Sequence, residues 1–167
     1  MTLDDLKTLL DFHYWARDRV LRTAATLNTE QFTRNMGSSF ASVRDTLVHM
    51  YLADWGWYQL WQGISPTTTP TVDQFPDLDT LRAAWAVHET RMRAFLNSLG
   101  EDEVNRAIEF RRADGMTGSF PVAQMLQHVV NHASYHRGQI TTMLRQLGAS
   151  PAKPMDMIAF YRLGAQK

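Results

Sequence analysis

The sequence contains no cysteine. Disulfides, thiolate metal sites and a cysteine nucleophile are excluded with it, and a reducing cytosol suits such a chain. A surplus of charge is missing too, since 17 Lys and Arg balance 17 Asp and Glu. With no basic excess to neutralise phosphates, nucleic acid is not an expected partner, and no block of like charge marks a tail. No run of about 20 apolar residues occurs, so no membrane-spanning helix is expected. The opening MTLDDLKTLLDFHYWARD mixes charged and apolar residues, unlike a secretory signal. The expectation is a soluble, cytoplasmic protein, and 167 residues suit one domain over 1–167 with a sizeable core.

What is present is helical periodicity. Thr2 and Asp5 are spaced as a capping box, and Leu3, Leu6, Leu10, Tyr14, Leu21 and Ala24 follow at helical intervals. A second helix is expected from Ser42, with Asp45 completing another box, to Gln62 before Gly63. The stretch ISPTTTPTVDQFPD is long enough to cross the end of a bundle, as parallel neighbouring helices require. Asp77 caps a third helix over 78–99, stopped by Gly100. The segment AIEFRRADGMTGSF alternates on either side of Asp114-Gly115, a two-residue turn signal that predicts a small hairpin near 106–119. Pro121 suits the first turn of a fourth helix, capped near Ser119 and ended by Gly148. PAKPMDMIAFYRLG forms a last short helix, with Phe160 and Tyr161 packing on the rest. The fold class is therefore all-α: a four-helix bundle with a hairpin excursion and a short C-terminal helix.

The stretch LQHVVNHASYHRGQI carries the chemistry. Val122, Leu126, Val129, Ala133, His136, Ile140, Met143 and Leu147 form one stripe on the fourth helix, so His136 holds a core position. His132 lies roughly 40° to one side and His128 roughly 80° away. A lone buried histidine is usually a core residue with one hydrogen bond. Two on one buried face each need partners for both ring nitrogens, and residues four apart can share one cation. A third ligand must come from another helix. His49, beside the stripe of Val43, Thr46, Met50, Ala53 and Trp57, competes with His13 and His88; position favours His49, whereas His88 beside Glu89 and Arg91 reads as solvated.

The segments HVVNHASYHRGQITTMLRQLG and LVHMYLADWGWYQLW resemble the signature of the DinB/YfiT-like family of metal-dependent enzymes. The likeness extends to helix lengths, the long crossover, the hairpin and the C-terminal piece. It implies a bundle of up-down-down-up order and a divalent metal (Zn, Ni, Fe or Mn) held by His49, His132 and His136. His128 is not implied as a ligand. Relatives in the superfamily include transferases and isomerases that use low-molecular-weight thiols such as bacillithiol or mycothiol, and they often form homodimers, for which the helix-two aromatic face offers apolar surface.

Three imidazoles with an open fourth position describe a catalytic rather than a structural site. Such a site activates water or a thiol. Gln139 is placed to orient a metal-bound water, Arg137 reads as a structural ion pair, and Asp54 and Glu89 are acid–base candidates by reach alone. Trp55, Trp57, Tyr58 and Trp61 line either a substrate pocket or, more often for such spacing, a core or an interface. Ferritin-like Glu-x-x-His pairs, His-Glu-x-x-His, Gly-x-Ser-x-Gly and phosphate-binding glycine loops are all missing. Two functions are carried forward. One is a metal-dependent enzyme acting on a small molecule, a thiol-dependent S-transferase or a hydrolase. The other is a non-catalytic metal- or ligand-binding stress protein.

Overall fold

The computed structural model describes residues 1–112, 114–150 and 153–164. Helix α1 (Leu3–Ala24) starts where expected: the Thr2 hydroxyl accepts the Asp5 N–H at 3.1 Å, and the Asp5 carboxylate accepts the Thr2 N–H at 2.9 Å. A short helix α2 (Thr29–Thr33) follows, closed by a reciprocal Asn28–Gln31 cap. Helix α3 (Val43–Trp61) begins at Ser42, whose hydroxyl accepts the Asp45 N–H. The expected second box is only half made, because the Asp45 carboxylate takes the Arg44 guanidinium at 2.9 Å instead. Helix α4 (Leu78–Ser98) is capped by Asp77.

Strands β1 (Ala107–Arg111) and β2 (Thr117–Pro121) pair antiparallel, Ala107 opposite Pro121 and Arg111 opposite Thr117. The loop is one residue longer than the two-residue turn expected. Arg112 N–H bonds the Met116 carbonyl, Gly115 N–H bonds the Arg112 carbonyl, and Gly115 adopts φ 87°. A three-residue loop with glycine in the left-handed region produces that pattern. Helix α5 (Val122–Gln146) grows directly out of β2. Pro121 therefore stands at its cap position rather than in its first turn, and no Ser119 cap forms; the Ala123 N–H is met instead by the Val104 carbonyl at 3.1 Å. In the closing segment, helix α6 runs Met157–Gly164, and Pro151 and Ala152 lie outside the described residues. Phe160 packs edge-on to Phe12 and Trp15, whereas Tyr161, expected to pack as well, is turned to solvent.

Side-chain pairs fix the helix directions. From Asp11–Arg93 to Arg17–Glu89 to the Leu21 carbonyl and Arg82, numbers rise on α1 and fall on α4, so these helices are antiparallel. Tyr51–Trp85, Tyr58–His88 and Trp61–Phe95 rise together, so α3 and α4 are parallel. His49–His132 and Trp57–His128 make α3 and α5 antiparallel. The order is up-down-down-up, and the crossing between Gln62 and Asp77 supplies the length that a parallel α3–α4 pair needs. The hairpin stands where α3 ends and α5 begins, with buried Phe110 against Trp57 at 5.6 Å.

Candidate metal centre

The α5 stripe is buried along its length, and His136 within it is 5 % exposed. Antiparallel packing brings α3 alongside at the level of His49. The result is a cluster of imidazoles: His132 Nε2 lies 3.0 Å from His49 Nε2 and 3.1 Å from His136 Nε2. Among the described residues, these three alone form a group of at least three His, Cys, Asp or Glu able to hold a metal ion. Ligands around one zinc at ~2.1 Å would sit ~3.4 Å apart in a tetrahedron, so little movement separates this cluster from a coordinating one. An all-nitrogen donor set suits borderline divalent ions.

The electrostatics favour neutral, lone-pair-bearing rings. Removal from water, reinforced by His136, pushes the His49 imidazole down to about 4. Burial likewise takes His132 to about 4, with His136, His49 and His128 adding repulsion. Two of the three rings are braced by their surroundings. His49 stacks on Phe40 with centroids 3.9 Å apart, and His136 meets the edge of the same ring at 5.5 Å. Gln139 Oε1 accepts from His136 Nδ1–H at 2.7 Å, which fixes the tautomer that leaves Nε2 free for the cluster. Gln139 thus orients the ring, not a water in the site. His128 is exposed and packs on Trp57 at 5.1 Å, with its ring 5.8 Å from that of His132.

His49 and His132 open onto a cleft of about 450 Å³ lined by Trp55, Trp57 and His128, with Arg112 and Asp114 of the hairpin loop at its edge. The α3 aromatics therefore divide. Trp55 and Trp57 line the cleft, while Trp61 is buried against Phe95 and Tyr58 packs on His88.

The other candidates lie elsewhere. His13 is fully buried and bonds Asp54 Oδ2 through Nε2 at 2.8 Å, and Trp85 Nε1 donates to the same oxygen at 2.9 Å. Burial would raise the Asp54 pKa, but His13, through charge and hydrogen bond, keeps the carboxyl below the ordinary range. Glu89 is held by Arg17 and Arg93. Neither carboxylate is a free acid or base. Arg137 is 3 % exposed and contacts no carboxylate among the described residues, so the expected ion pair is not made; its Nη2 donates to the Ser134 hydroxyl at 2.6 Å, and burial pushes the guanidinium down to about 10. His88, expected in solvent, is 2 % exposed beneath Tyr51 and Tyr58. It continues the buried α4 series Leu81, Trp85, Met92 and Leu96, while Glu89 is half-buried and Arg91 is exposed.

His88 gives a pH test. Desolvation takes its pKa to about 4, against about 6.5 in the unfolded chain. Between those values the unfolded chain binds more protons, so stability is full above pH 6.5 and lost as pH falls toward 4. His49 and His132 act in the same direction in metal-free protein. His88 alone contributes about 3 kcal/mol over the window. Urea midpoints of metal-free protein are expected to fall between pH 7 and 5, and to fall less for His88→Leu. A midpoint that is flat with pH, or the same slope in both proteins, contradicts the assignment.

Comparisons with known proteins agree with this architecture. The DinB family model matches residues 2–164. Protein DinB of Bacillus subtilis is 26% identical over 155 residues, covering 89% of this chain and 88% of that protein. The uncharacterized protein YizA of the same organism is 22% identical over 142 residues, covering 84% and 87%. Among solved structures, a conserved protein from Enterococcus faecalis aligns with a TM-score of 0.62 at 14% identity, over 88% of this chain and 97% of that one. A DinB-like protein from Bacillus cereus gives 0.58 at 14% identity, over 87% and 95%. These two likenesses concern the fold. A family match spanning nearly the whole sequence, on a bundle of this order, places the chain in the DinB family.

Proposed function

We propose that this protein is a divalent-metal-dependent enzyme, a thiol-dependent S-transferase or a hydrolase, with His49, His132 and His136 as the metal ligands. The observation that carries the reading is the convergence of three ring nitrogens, two of them on rings held neutral, at the wall of an aromatic cleft. A metal bound there supplies Lewis acidity and lowers the pKa of a coordinated water or thiol. The chain's own residues do the remaining work. Phe40 and Gln139 hold the imidazoles in place, and Trp55 and Trp57 offer flat apolar walls for a small substrate. At the cleft's edge Arg112 pairs with Asp114 at 3.1 Å, a salt bridge that an anionic thiol would have to open to reach the guanidinium.

The test is metal analysis of purified protein, followed by consumption of bacillithiol or mycothiol with an electrophilic co-substrate, before and after chelation. Stoichiometric metal and turnover that chelation abolishes and metal restores are expected. Metal without turnover points to the second reading, a non-catalytic metal- or ligand-binding protein. One observation favours that alternative: the two acid–base candidates, Asp54 and Glu89, are both engaged in ion pairs.

A further inference from the structure

None of the three clustered histidines lines the open, groove-like cavity between α1, α5 and the start of α6. Its volume is about 650 Å³, within the range of roughly 300–1,000 Å³ typical of small-molecule sites. Leu9 and Phe12 of α1, Val130 of α5 and Met157 of α6 provide apolar walls. Arg137 is set among them. Its guanidinium is buried, Nη2 is used by Ser134, and Nη1 has no hydrogen-bond partner among the described residues. Phe12 lies 5.4 Å from its central carbon. Arg17, similarly buried, has two carboxylates, Asp18 and Glu89. An unpaired buried cation is costly to keep, and a guanidinium fork matches a carboxylate in two parallel hydrogen bonds.

A second feature points to the same cavity. Gly138 lies in the middle of α5, where glycine weakens a helix relative to alanine. An added Cβ there would meet nothing within 4 Å, so packing gives no reason for glycine. Gly138 lines the cavity next to Arg137 and adds no side chain to that wall. Arg145 adds a second positive charge. Among the described lining residues the one acid, Asp156, is turned to its own helix and accepts the Ala159 N–H at 2.9 Å.

We propose that this cavity binds small monocarboxylates carrying an apolar chain, the carboxylate on Arg137 and the chain along Leu9, Phe12 and Val130. The site is separate from the histidine cluster and does not depend on what that cluster does. Calorimetric titration of the full chain compares octanoate, octanol and inorganic phosphate. Octanoate is expected to bind one to one, with octanol and phosphate each weaker by about tenfold or more, since one lacks the charge-assisted bonds and the other the chain. Gly138→Leu, which fills the cavity without touching Arg137, and Arg137→Met are each expected to weaken octanoate by about tenfold or more. Octanoate affinity in His136→Ala is expected to equal that of the wild type, which separates this cavity from carboxylate binding at a metal. Absence of saturable octanoate binding, equal affinity for octanol or for phosphate, unchanged binding in Gly138→Leu, or loss in His136→Ala overturns the proposal. Should Arg137→Met fail to fold, Gly138→Leu decides alone.

Discussion

His136→Ala is expected to fold and to retain no zinc or nickel after dialysis, while His128→Ala retains as much as the wild type. The two residues lie eight apart on one helix and differ in what they reach. His136 presents Nε2 to the cluster and is backed by Gln139, whereas His128 packs on Trp57 at the cleft wall. Folding survives in His136→Ala because alanine is the best helix former and the rest of the α5 stripe stays in place. Gln139→Ala should fall between the two, weakening metal by roughly 10–100-fold, as loss of a group that orients a ligand generally does. Stability gives an independent reading. A metal at a hundred times its dissociation constant adds about 2.7 kcal/mol to wild type, and none to His136→Ala. Metal content by mass spectrometry and melting with and without metal, run on all three variants, check this. Equal loss in His128→Ala and His136→Ala would mean that the wrong histidines have been paired. Retention in His136→Ala would remove the site.

The parts of this molecule that were legible in the sequence are those where a periodic pattern and a local cap agree. Thr2–Asp5 and Asp77 mark helix starts that exist, and the stripe from Val122 to Leu147 is buried throughout. The long crossing before Asp77 already implied parallel α3 and α4. His88 was misread from its neighbours in sequence, although its spacing from Leu81, Trp85, Met92 and Leu96 carried the correct answer. Periodicity outweighs adjacent charge on a helix: Glu89 is turned about 100° from His88, and Arg91, though one turn on, keeps its long side chain in solvent. The Asn28–Gln31 box was also readable, but it opens a helix too short to show a period. Phe40 was not readable at all. It sits in a stretch without helical pattern, and only tertiary packing brings its ring onto His49. The roles of Gln139 and Arg137 depend on rotamers, which spacing does not determine.

Asp54→Ala is expected to cause the largest loss of stability of any single substitution considered. Asp54 is 1 % exposed and joins α3 to both α1 and α4, accepting from His13 Nε2 and from Trp85 Nε1 on one oxygen. Removing the carboxylate leaves both donors buried without a partner, and breaking a buried pair in this way costs about 3–5 kcal/mol. For a chain of this size that corresponds to a fall in melting temperature of about 10–15 °C. Asp54→Asn keeps the shape and one acceptor oxygen, so its loss should be smaller. The double variant His13→Leu with Asp54→Leu removes charge, donor and acceptor from the α1–α3 contact together. Its cost should be well below the sum of the two single leucine variants, since apolar replacement of a whole buried pair is often close to neutral. Thermal melts of the set, with metal content measured alongside, check the account. Melting of Asp54→Ala within about 2 °C of wild type, less than 1 kcal/mol, would show that the pair carries no net stability. A stable Asp54→Asn protein that binds metal but loses turnover would instead move Asp54 from the scaffold into the chemistry.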